Sequence, residues 1–122
     1  MKIYTASKTM HADKWRALRR EHDVTASWVD EAGEGQSVDY SELAARCITD
    51  IERADFLLLY CEPGESLKGT LIEAGIALAF GKEVRCVGEC ASLSRVFNQH
   101  RLWRQFATVK EALNAKQPAA KI

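Results

Sequence analysis

Apolar residues form two kinds of run in the middle of the chain. Residues 54–60, ADFLLLY, are an almost unbroken apolar run without helical periodicity, and Pro63-Gly64 follows it. This is typical of a parallel strand that is buried on both faces. Residues 69–80 are rich in Ala, Leu and Ile, lack proline and lead to Gly81, where a helix would be capped. The apolar run resumes from Val84 to Val87, interrupted only by Arg85, so the segment predicts a strand, a helix and a strand.

The rest of the chain alternates between short β-prone runs and amphipathic stretches. Asp39 with Glu42, and Thr108 with Glu111, have the spacing of helix N-caps. Residues 89–103 carry mixed signals. The remaining elements are predicted as a first strand at Lys2–Ala6, a helix from His11 to His22, a second strand over 24–29 ending near Asp30, a mobile polar loop EAGEGQS, a helix from Asp39 to Arg53, an edge strand at 103–108 and a last helix to about Ala115.

This alternation predicts an α/β fold with a doubly wound, five-stranded parallel sheet. The expected arrangement is a flavodoxin-like or Rossmann-like three-layer sandwich. At 122 residues the chain is long enough for one domain, which we place at residues 1–116, with 117–122 as a frayed C-terminal tail.

Composition excludes several functional classes. The chain has 17 Lys and Arg against 17 Asp and Glu, so no long-range field favours a nucleic acid polymer or an anionic membrane. Its four cysteines include no C-x-x-C pair, and we expect reduced thiols, no metal site and no cofactor. The N-terminus MKIYTASK has no signal-peptide pattern and no stretch is long enough to span a membrane, so a cytoplasmic protein is expected.

In the predicted sheet, ligands bind outside the carboxyl ends of the strands, where the winding reverses. Gly69 and Thr70 at a helix N-terminus, beside Lys68, indicate an anion site, although no P-loop or G-x-G-x-x-G sequence is present. Trp28 is either a base-stacking platform or, more commonly, a core residue. His11 and His100 are expected on the surface. The candidate binding residues at this edge are Ser7, Trp28, Asp30, Ser66, Lys68, Gly69 and Thr70.

Glu73 is the unusual residue of the central helix, because apolar residues surround it in sequence. Two interpretations stay open from the residues alone. Thr70-Leu71-Ile72-Glu73 has the T-x-x-E spacing of a capping box, in which Glu73 accepts from the Thr70 backbone N–H. Alternatively, Glu73 is a functional carboxylate at the switch point of the sheet.

Four segments together resemble the nucleoside 2-deoxyribosyltransferase family and its nucleotide N-hydrolase relatives. They are KIYTAS, SWVD, DIERAD and GTLIEAGIALAFGKEV, and the resemblance covers roughly residues 2–113. The most specific part is the pattern E-x-G-x-A-x-A-x-G-K-x-V from Glu73 to Val84.

The resemblance implies an enzyme that cleaves or exchanges an N-glycosidic bond of a nucleoside or nucleotide. It implies that Glu73 attacks the anomeric carbon, forming a covalent glycosyl-glutamate, and that Tyr4 orients this carboxylate. It places the sugar or its 5'-phosphate near Gly69 and Thr70. It also implies a homodimer or larger oligomer, in which Asn98 completes the site of a neighbouring subunit.

The chain departs from the family pattern at two places. Cys47 stands where relatives carry an aspartate of the acid machinery, and Asp50, nearly one helical turn further on, is the candidate substitute. Leu67 and Lys68 stand where transferases carry an acidic residue. A basic side chain at this place favours nucleotides over nucleosides, because it can pair with the phosphate. These departures leave a second hypothesis open, a non-catalytic module of the same fold that binds or senses a nucleotide.

Residues 89–103 carry apolar side chains in an irregular segment. They either cover the last strand or form an apolar patch that contacts a second subunit. The five residues are Leu93, Val96, Phe97, Leu102 and Trp103.

Overall fold

A computed structural model describes residues 1–31, 39–90 and 92–117. These residues form a parallel five-stranded sheet in the order β2-β1-β3-β4-β5, which confirms the predicted flavodoxin-like α/β fold. The elements are β1 (Lys2–Ala6), α1 (Ala12–Leu18), β2 (Asp23–Val24), α2 (Tyr40–Arg53), β3 (Phe56–Tyr60), α3 (Gly69–Ala79), β4 (Glu83–Val87), β5 (Trp103–Phe106) and α4 (Val109–Asn114), with 3-10 turns at Thr9–His11, Ser27–Asp30 and Phe97–Gln99.

The helices cover both faces of the sheet. On one face α2 and α3 pack against each other and against β1. On the other face Trp15 of α1 packs edge-on against Tyr60 of β3, and α4 accepts a hydrogen bond at the Ala112 carbonyl from Arg85 of β4. The central strands β3 and β4 are buried almost throughout, as expected for a sheet covered on both sides.

The helix ends follow the predicted capping residues. Asp39 accepts hydrogen bonds from the backbone of Ser41 and Glu42, and the Thr108 hydroxyl accepts one from the backbone of Glu111. Gly81 follows α3 with φ of 74°, and its N–H donates to the Leu78 carbonyl. A positive φ at this place favours glycine because it has no Cβ.

The predicted helix from His11 to His22 is shorter in the structure. It begins with a 3-10 turn, and α1 ends at Leu18, after which residues 19–22 form turns. No apolar residue after Leu18 continues the helical period until Val24, so nothing holds a longer helix against the sheet.

The predicted second strand over 24–29 is wrong beyond Val24. The chain leaves the sheet there and forms the 3-10 turn Ser27–Asp30. The Asp50 carboxylate accepts hydrogen bonds from the Ser27 backbone and hydroxyl, and the Trp28 indole donates to the Thr5 carbonyl. These contacts turn the segment inward at the carboxyl end of β1.

The buried charges of β4 are paired. Arg85 is fully buried, donates to Glu83 at 2.6 Å and lies over the Phe56 ring at 3.9 Å. Arg104 of β5 pairs with the same Glu83 at 2.9 Å. Burying charges is costly unless they are paired, so this cluster belongs to the framework of the sheet.

The two ends of the described chain meet at the amino end of the sheet. Gln117 Nε2 lies 3.9 Å from Met1 Sδ, and Arg104 donates to the Lys116 carbonyl. The predicted mobile loop lies outside the described residues from residue 32 on, as does the predicted tail from residue 118 on. Within the described part of the chain, no helix has both the length and the apolar character needed to cross a membrane.

Candidate functional site

A cavity of about 780 Å³ opens at the carboxyl end of the sheet, between the loops after β1 and β3 and the facing sides of α2 and α3. One part of the cavity wall is polar, and the other part is apolar. Its lining consists of Ser7, Lys8, Thr9, Trp28, Ala44, Cys47, Ile48, Ser66, Leu67, Lys68, Gly69, Thr70, Ile72, Glu73 and Ile76. Six of the predicted binding residues are thus brought together here with Glu73.

The carboxylate of Glu73 is held by Tyr4. The Tyr4 hydroxyl, on a fully buried residue of β1, donates a hydrogen bond to Glu73 Oε2. Glu73 itself is partly exposed, on the side that lines the cavity. The resemblance implies that Tyr4 orients this carboxylate, and this hydrogen bond is the contact that such a role requires.

The capping-box interpretation of Glu73 is wrong. The N-cap of α3 is Lys68, so Thr70 lies inside the helix, and the Glu73 carboxylate accepts from Tyr4 across the cavity floor. The reason is the position of β1, whose buried phenol is in reach of α3. Sequence spacing alone cannot show this contact, because it joins residues 69 positions apart.

The surroundings shift the ionisation of the Tyr4 and Glu73 pair. Burial raises the pKa of Glu73 to about 7, although the hydrogen bond from Tyr4 acts in the opposite direction. Burial, followed by the charge of Glu73, raises the pKa of Tyr4 well above its usual range. Glu73 is therefore a carboxyl group that gains or loses its proton near neutral pH, while Tyr4 stays a hydrogen-bond donor.

Cys47 lies beside the same phenol, on α2. Its thiol is half-buried, and burial raises its pKa, so it stays protonated next to the Glu73 carboxylate. In the sequence, Cys47 is notable only because it departs from the family pattern. The Cys47 thiol therefore lines the cavity at the place where the resemblance implies an acid.

Trp28 and Ser7 are fixed parts of the wall. Trp28 is 8% exposed, and its indole N–H donates to the Thr5 carbonyl at 2.8 Å. The Ser7 hydroxyl accepts from the Trp15 indole and donates to the Lys8 carbonyl. Trp28 is thus largely a core residue, as one of the two interpretations held, but part of it reaches the cavity.

A second lysine, which sequence analysis missed, lines the cavity near the anion site that is expected at the start of α3. Lys68, Gly69 and Thr70 form the first turn of α3, whose N–H groups have no partner within the helix. Lys8 and Thr9 line the same cavity from the loop after β1, and Lys8 is exposed, as Lys68 is. Lys8 directly follows Ser7, so extending the search by one residue beyond the candidates at the end of β1 finds this lysine.

Sequence analysis also missed the apolar wall. Ile48 and Ile72 are 43% and 68% exposed and face the cavity from α2 and α3. Ala44 and Ile76 continue the wall on the same helices. An apolar surface opposite polar groups suits a flat ring such as a nucleobase.

Besides Tyr4, which contacts Glu73 from β1, three predicted site residues lie outside the cavity lining. The Asp50 carboxylate is buried against Ser27 at 2.7 and 3.0 Å, so this geometry does not support an acid role for it. Asp30 forms an exposed ion pair with Arg19. Asn98 lines a separate cavity of about 420 Å³ next to β5 and is not part of the cavity lining that contains Glu73.

His11 is buried, which corrects its expected place on the surface. It is 8% exposed, and its Nε2 lies 2.8 Å from Glu65 Oε2 and 4.0 Å from Glu62 Oε1. The sequence places these residues far apart, and only the adjacency of β1 and β3 brings them together. Within the described ranges they form the one group of His, Cys, Asp and Glu side chains spaced to hold a metal ion.

Comparison with solved structures relates this fold to two enzymes. The chain is similar to a 2-deoxyribosyltransferase from Bacillus psychrosaccharolyticus, with a TM-score of 0.67 and 20% identity over 95% of this chain and 93% of that one. It is also similar to a CMP N-glycosidase from Clostridium botulinum, with a TM-score of 0.57 and 16% identity over 93% and 95%. No protein-family model and no curated protein sequence matches significantly. The chain therefore shares the fold of nucleoside 2-deoxyribosyltransferases and nucleotide N-glycosidases.

Proposed function

We propose that this protein is an N-glycosidase or pentosyltransferase that acts on a nucleoside or, preferentially, a nucleoside 5'-monophosphate. The observation that carries the proposal is the Glu73 carboxylate, which a buried tyrosine directs into the cavity of a chain with this fold. The CMP N-glycosidase and the 2-deoxyribosyltransferase of similar fold support this class of reaction.

In the proposed reaction, ionised Glu73 is the nucleophile. A carboxylate oxygen forms a bond to C1' of the sugar while the bond from C1' to the base nitrogen breaks, and the electron pair leaves with the base. Water then attacks C1' and releases the sugar from Glu73. If a second base attacks instead, the result is transfer. Tyr4 donates to the carboxylate and holds it in line for attack.

The cavity lining of the described chain offers one carboxylate, Glu73, where glycosidases commonly use two. Cys47 is neutral and too weak an acid to protonate a departing base readily. Protonation of the base is therefore assigned to solvent or to a neighbouring subunit. We therefore expect substrates whose nucleobase can leave without being protonated by a carboxylic acid of the protein.

The polar rim supports a phosphorylated substrate. Lys68 at the start of α3 and Lys8 after β1 place two positive charges at the cavity, together with the helix N-terminus. In a bound nucleoside 5'-monophosphate, the phosphate would lie at this rim and the base against Trp28, Ile48 and Ile72.

We also propose that the protein is a homodimer or larger oligomer.

A non-catalytic nucleotide-binding module is the second candidate. It is favoured by one observation: Asp50, the candidate acid, is engaged by Ser27 outside the cavity lining. The two candidates differ in the fate of the ligand. A sensing module returns its nucleotide intact, and an N-glycosidase releases the free base.

The test is to incubate the protein with ribo- and deoxyribonucleosides and their 5'-monophosphates, with and without an acceptor base, and to separate the products by chromatography. We expect release of a free base, and we expect Glu73→Gln to lower turnover about a thousandfold or more while the protein stays folded. Glu52→Gln, on the exposed side of α2, is the matched control and should keep full activity.

Two results would overturn the proposal. Intact ligands across the whole panel, with saturable binding, would establish the sensing module instead. Base release that survives Glu73→Gln at the wild-type rate would remove Glu73 as nucleophile. Mass spectrometry of the protein after rapid acid quenching tests the covalent step, since a glycosyl-glutamate adds the mass of the sugar to the peptide carrying Glu73.

A further inference from the structure

Behind the polar rim of the cavity, His11, Glu62 and Glu65 converge from two different loops. His11 ends the 3-10 turn after β1, while Glu62 and Glu65 lie in the loop between β3 and α3. Their ligand atoms all lie within 4.8 Å of one another. Neither the proposed reaction nor the proposed substrate contacts use this cluster.

Each carboxylate of the cluster has one oxygen engaged and one directed at His11. Glu62 Oε2 accepts from the Tyr60 hydroxyl at 2.6 Å, and Glu65 Oε1 accepts from the Glu62 backbone N–H at 2.8 Å. The other oxygens, Glu62 Oε1 and Glu65 Oε2, are the ones that lie 4.0 and 2.8 Å from His11 Nε2. Hydrogen bonds to the distal oxygen are what orients a carboxylate that binds a metal ion.

The spacing fits a small divalent ion. An ion bonded at about 2.1 Å to ligands in tetrahedral positions separates them by about 3.4 Å, which lies between the two distances to His11 Nε2. Two carboxylates also supply the two negative charges that such an ion needs beside a neutral imidazole. Glu62, whose side chain is 46% exposed, gives the ion a path from solvent.

We propose that His11, Glu62 and Glu65 bind one divalent metal ion, with Zn²⁺ and Mn²⁺ as the best matches to one imidazole and two carboxylates. Water completes the coordination on the exposed side. The ion joins the loop carrying Ser7 and Lys8 to the loop carrying Ser66 and Lys68. Its role is to hold the two sides of the cavity rim together. Mg²⁺ binds more weakly, because it prefers oxygen ligands and keeps its own water.

The first experiment is isothermal titration calorimetry of the full-length protein, freed of metal by a chelator, with MnCl₂, ZnCl₂ and MgCl₂. The Mn²⁺ titration is the decisive one, because the four free cysteines bind Zn²⁺ but have little affinity for Mn²⁺. We expect one Mn²⁺ per chain and a rise in melting temperature on binding.

The variants His11→Asn and Glu62→Gln should each weaken Mn²⁺ binding by about tenfold or more. His22→Asn and Glu21→Gln are the matched controls, since both residues lie in the turns after α1, away from the cluster, and should leave the dissociation constant unchanged. Melting temperatures without metal verify that each variant is folded.

Absence of saturable Mn²⁺ and Zn²⁺ binding at millimolar concentrations would overturn the proposal and leave a plain hydrogen bond between His11 and Glu65. Equal weakening in the control variants would overturn it too, because binding would then lie elsewhere. Both readouts are independent of turnover, so failure of the metal site and failure of the proposed enzyme activity are distinguishable.

Discussion

Glu73 differs from the carboxylates that pair with arginine in the kind of partner it has. Glu83, Asp30 and Glu31 face arginines, which keep a carboxylate charged. Glu73 faces a neutral phenol in a buried setting. Its negative charge is therefore stabilised weakly enough to react, and the hydrogen bond directs it without neutralising it.

The first prediction follows from the pKa of Glu73, which burial raises to about 7. Only the ionised form attacks, so kcat/KM should rise with pH and level off above a midpoint near 7. Tyr4→Phe removes the hydrogen bond that favours the ionised form, so its midpoint should lie at higher pH than the wild-type one. Initial rates between pH 5 and 9 measure both.

Tyr40→Phe is the control for this prediction, because Tyr40 is 78% exposed at the start of α2. Ionisation of a substrate phosphate contributes equally to all three profiles and cancels in the comparison. A midpoint that is the same in wild type and Tyr4→Phe would contradict the assignment of the titrating group to Glu73.

For Asp50, the role predicted from the sequence and the contacts seen in the structure differ. It was selected because it lies close to Cys47 in sequence, but its carboxylate clamps the turn that carries Trp28. We predict that Asp50→Asn lowers the free energy of unfolding by about 1 to 3 kcal/mol, since it weakens a charged, buried hydrogen bond. Activity per folded molecule should change only a few-fold.

Denaturant unfolding and the pH–rate profile together test the Asp50 prediction. Asp39→Asn, which alters an exposed helix cap with a similar carboxylate, is a suitable stability control. A large loss of kcat in Asp50→Asn, without a loss of stability, would instead restore the acid role.

At the scale of secondary structure elements, sequence patterns located the helices and buried strands that packing and capping specify. The α2 and α3 helices, with their caps at Asp39 and Gly81, follow the predicted bounds closely. The second strand was predicted too long because side-chain contacts from distant residues end it. The first helix was predicted too long because no apolar residue directly after Leu18 holds it against the sheet. Contacts such as Tyr4 to Glu73 and His11 to Glu65 need the order of the strands, which no local pattern contains.

The N-terminus of α3, with Lys68 beside it, supports a prediction about the relative affinities for nucleotides and nucleosides. Nucleoside 5'-monophosphates should bind about 10- to 150-fold more tightly than the matching nucleosides, the worth of a charge-assisted contact. Lys68→Ala should remove much of this difference and leave nucleoside affinity unchanged. Calorimetry with Glu73→Gln protein measures both constants without turnover.

Lys82→Ala is the matched control, because Lys82 follows the opposite end of the same helix. Equal dissociation constants for a nucleoside and its monophosphate, measured with Lys68 intact, would contradict an anion site at the start of α3. An equal loss for both ligands in Lys68→Ala would mean that Lys68 supports the wall and does not contact phosphate.

At the scale of the whole molecule, an apolar patch outside the cavity is exposed. Val96 and Phe97 are 74% and 59% exposed on the 3-10 turn segment before β5, and Asn98 follows them. Leu93 and Trp103 are partly buried against the core, so part of the predicted interface covers the last strand. Leu102 is partly buried as well, which leaves Val96 and Phe97 as the candidate contact with a second subunit.

We predict a homodimer or larger oligomer in light scattering across a micromolar dilution series. Phe97→Ser should shift the mass towards the monomer, because it removes an exposed aromatic side chain from the patch. Tyr40→Ser, at another exposed aromatic position, should not. A monomeric mass at every concentration, with full activity, would leave Asn98 without a partner site to complete.

The closeness of Met1 and Gln117 has a practical consequence for immobilising the protein. Both lie at the amino end of the sheet, and the cavity opens at the carboxyl end. A bead, electrode or carrier domain attached at Met1 or at Gln117 therefore stands on the far side of the molecule from the cavity mouth. Protein tethered in this way presents its cavity outward, and diffusion of small molecules into it remains unobstructed.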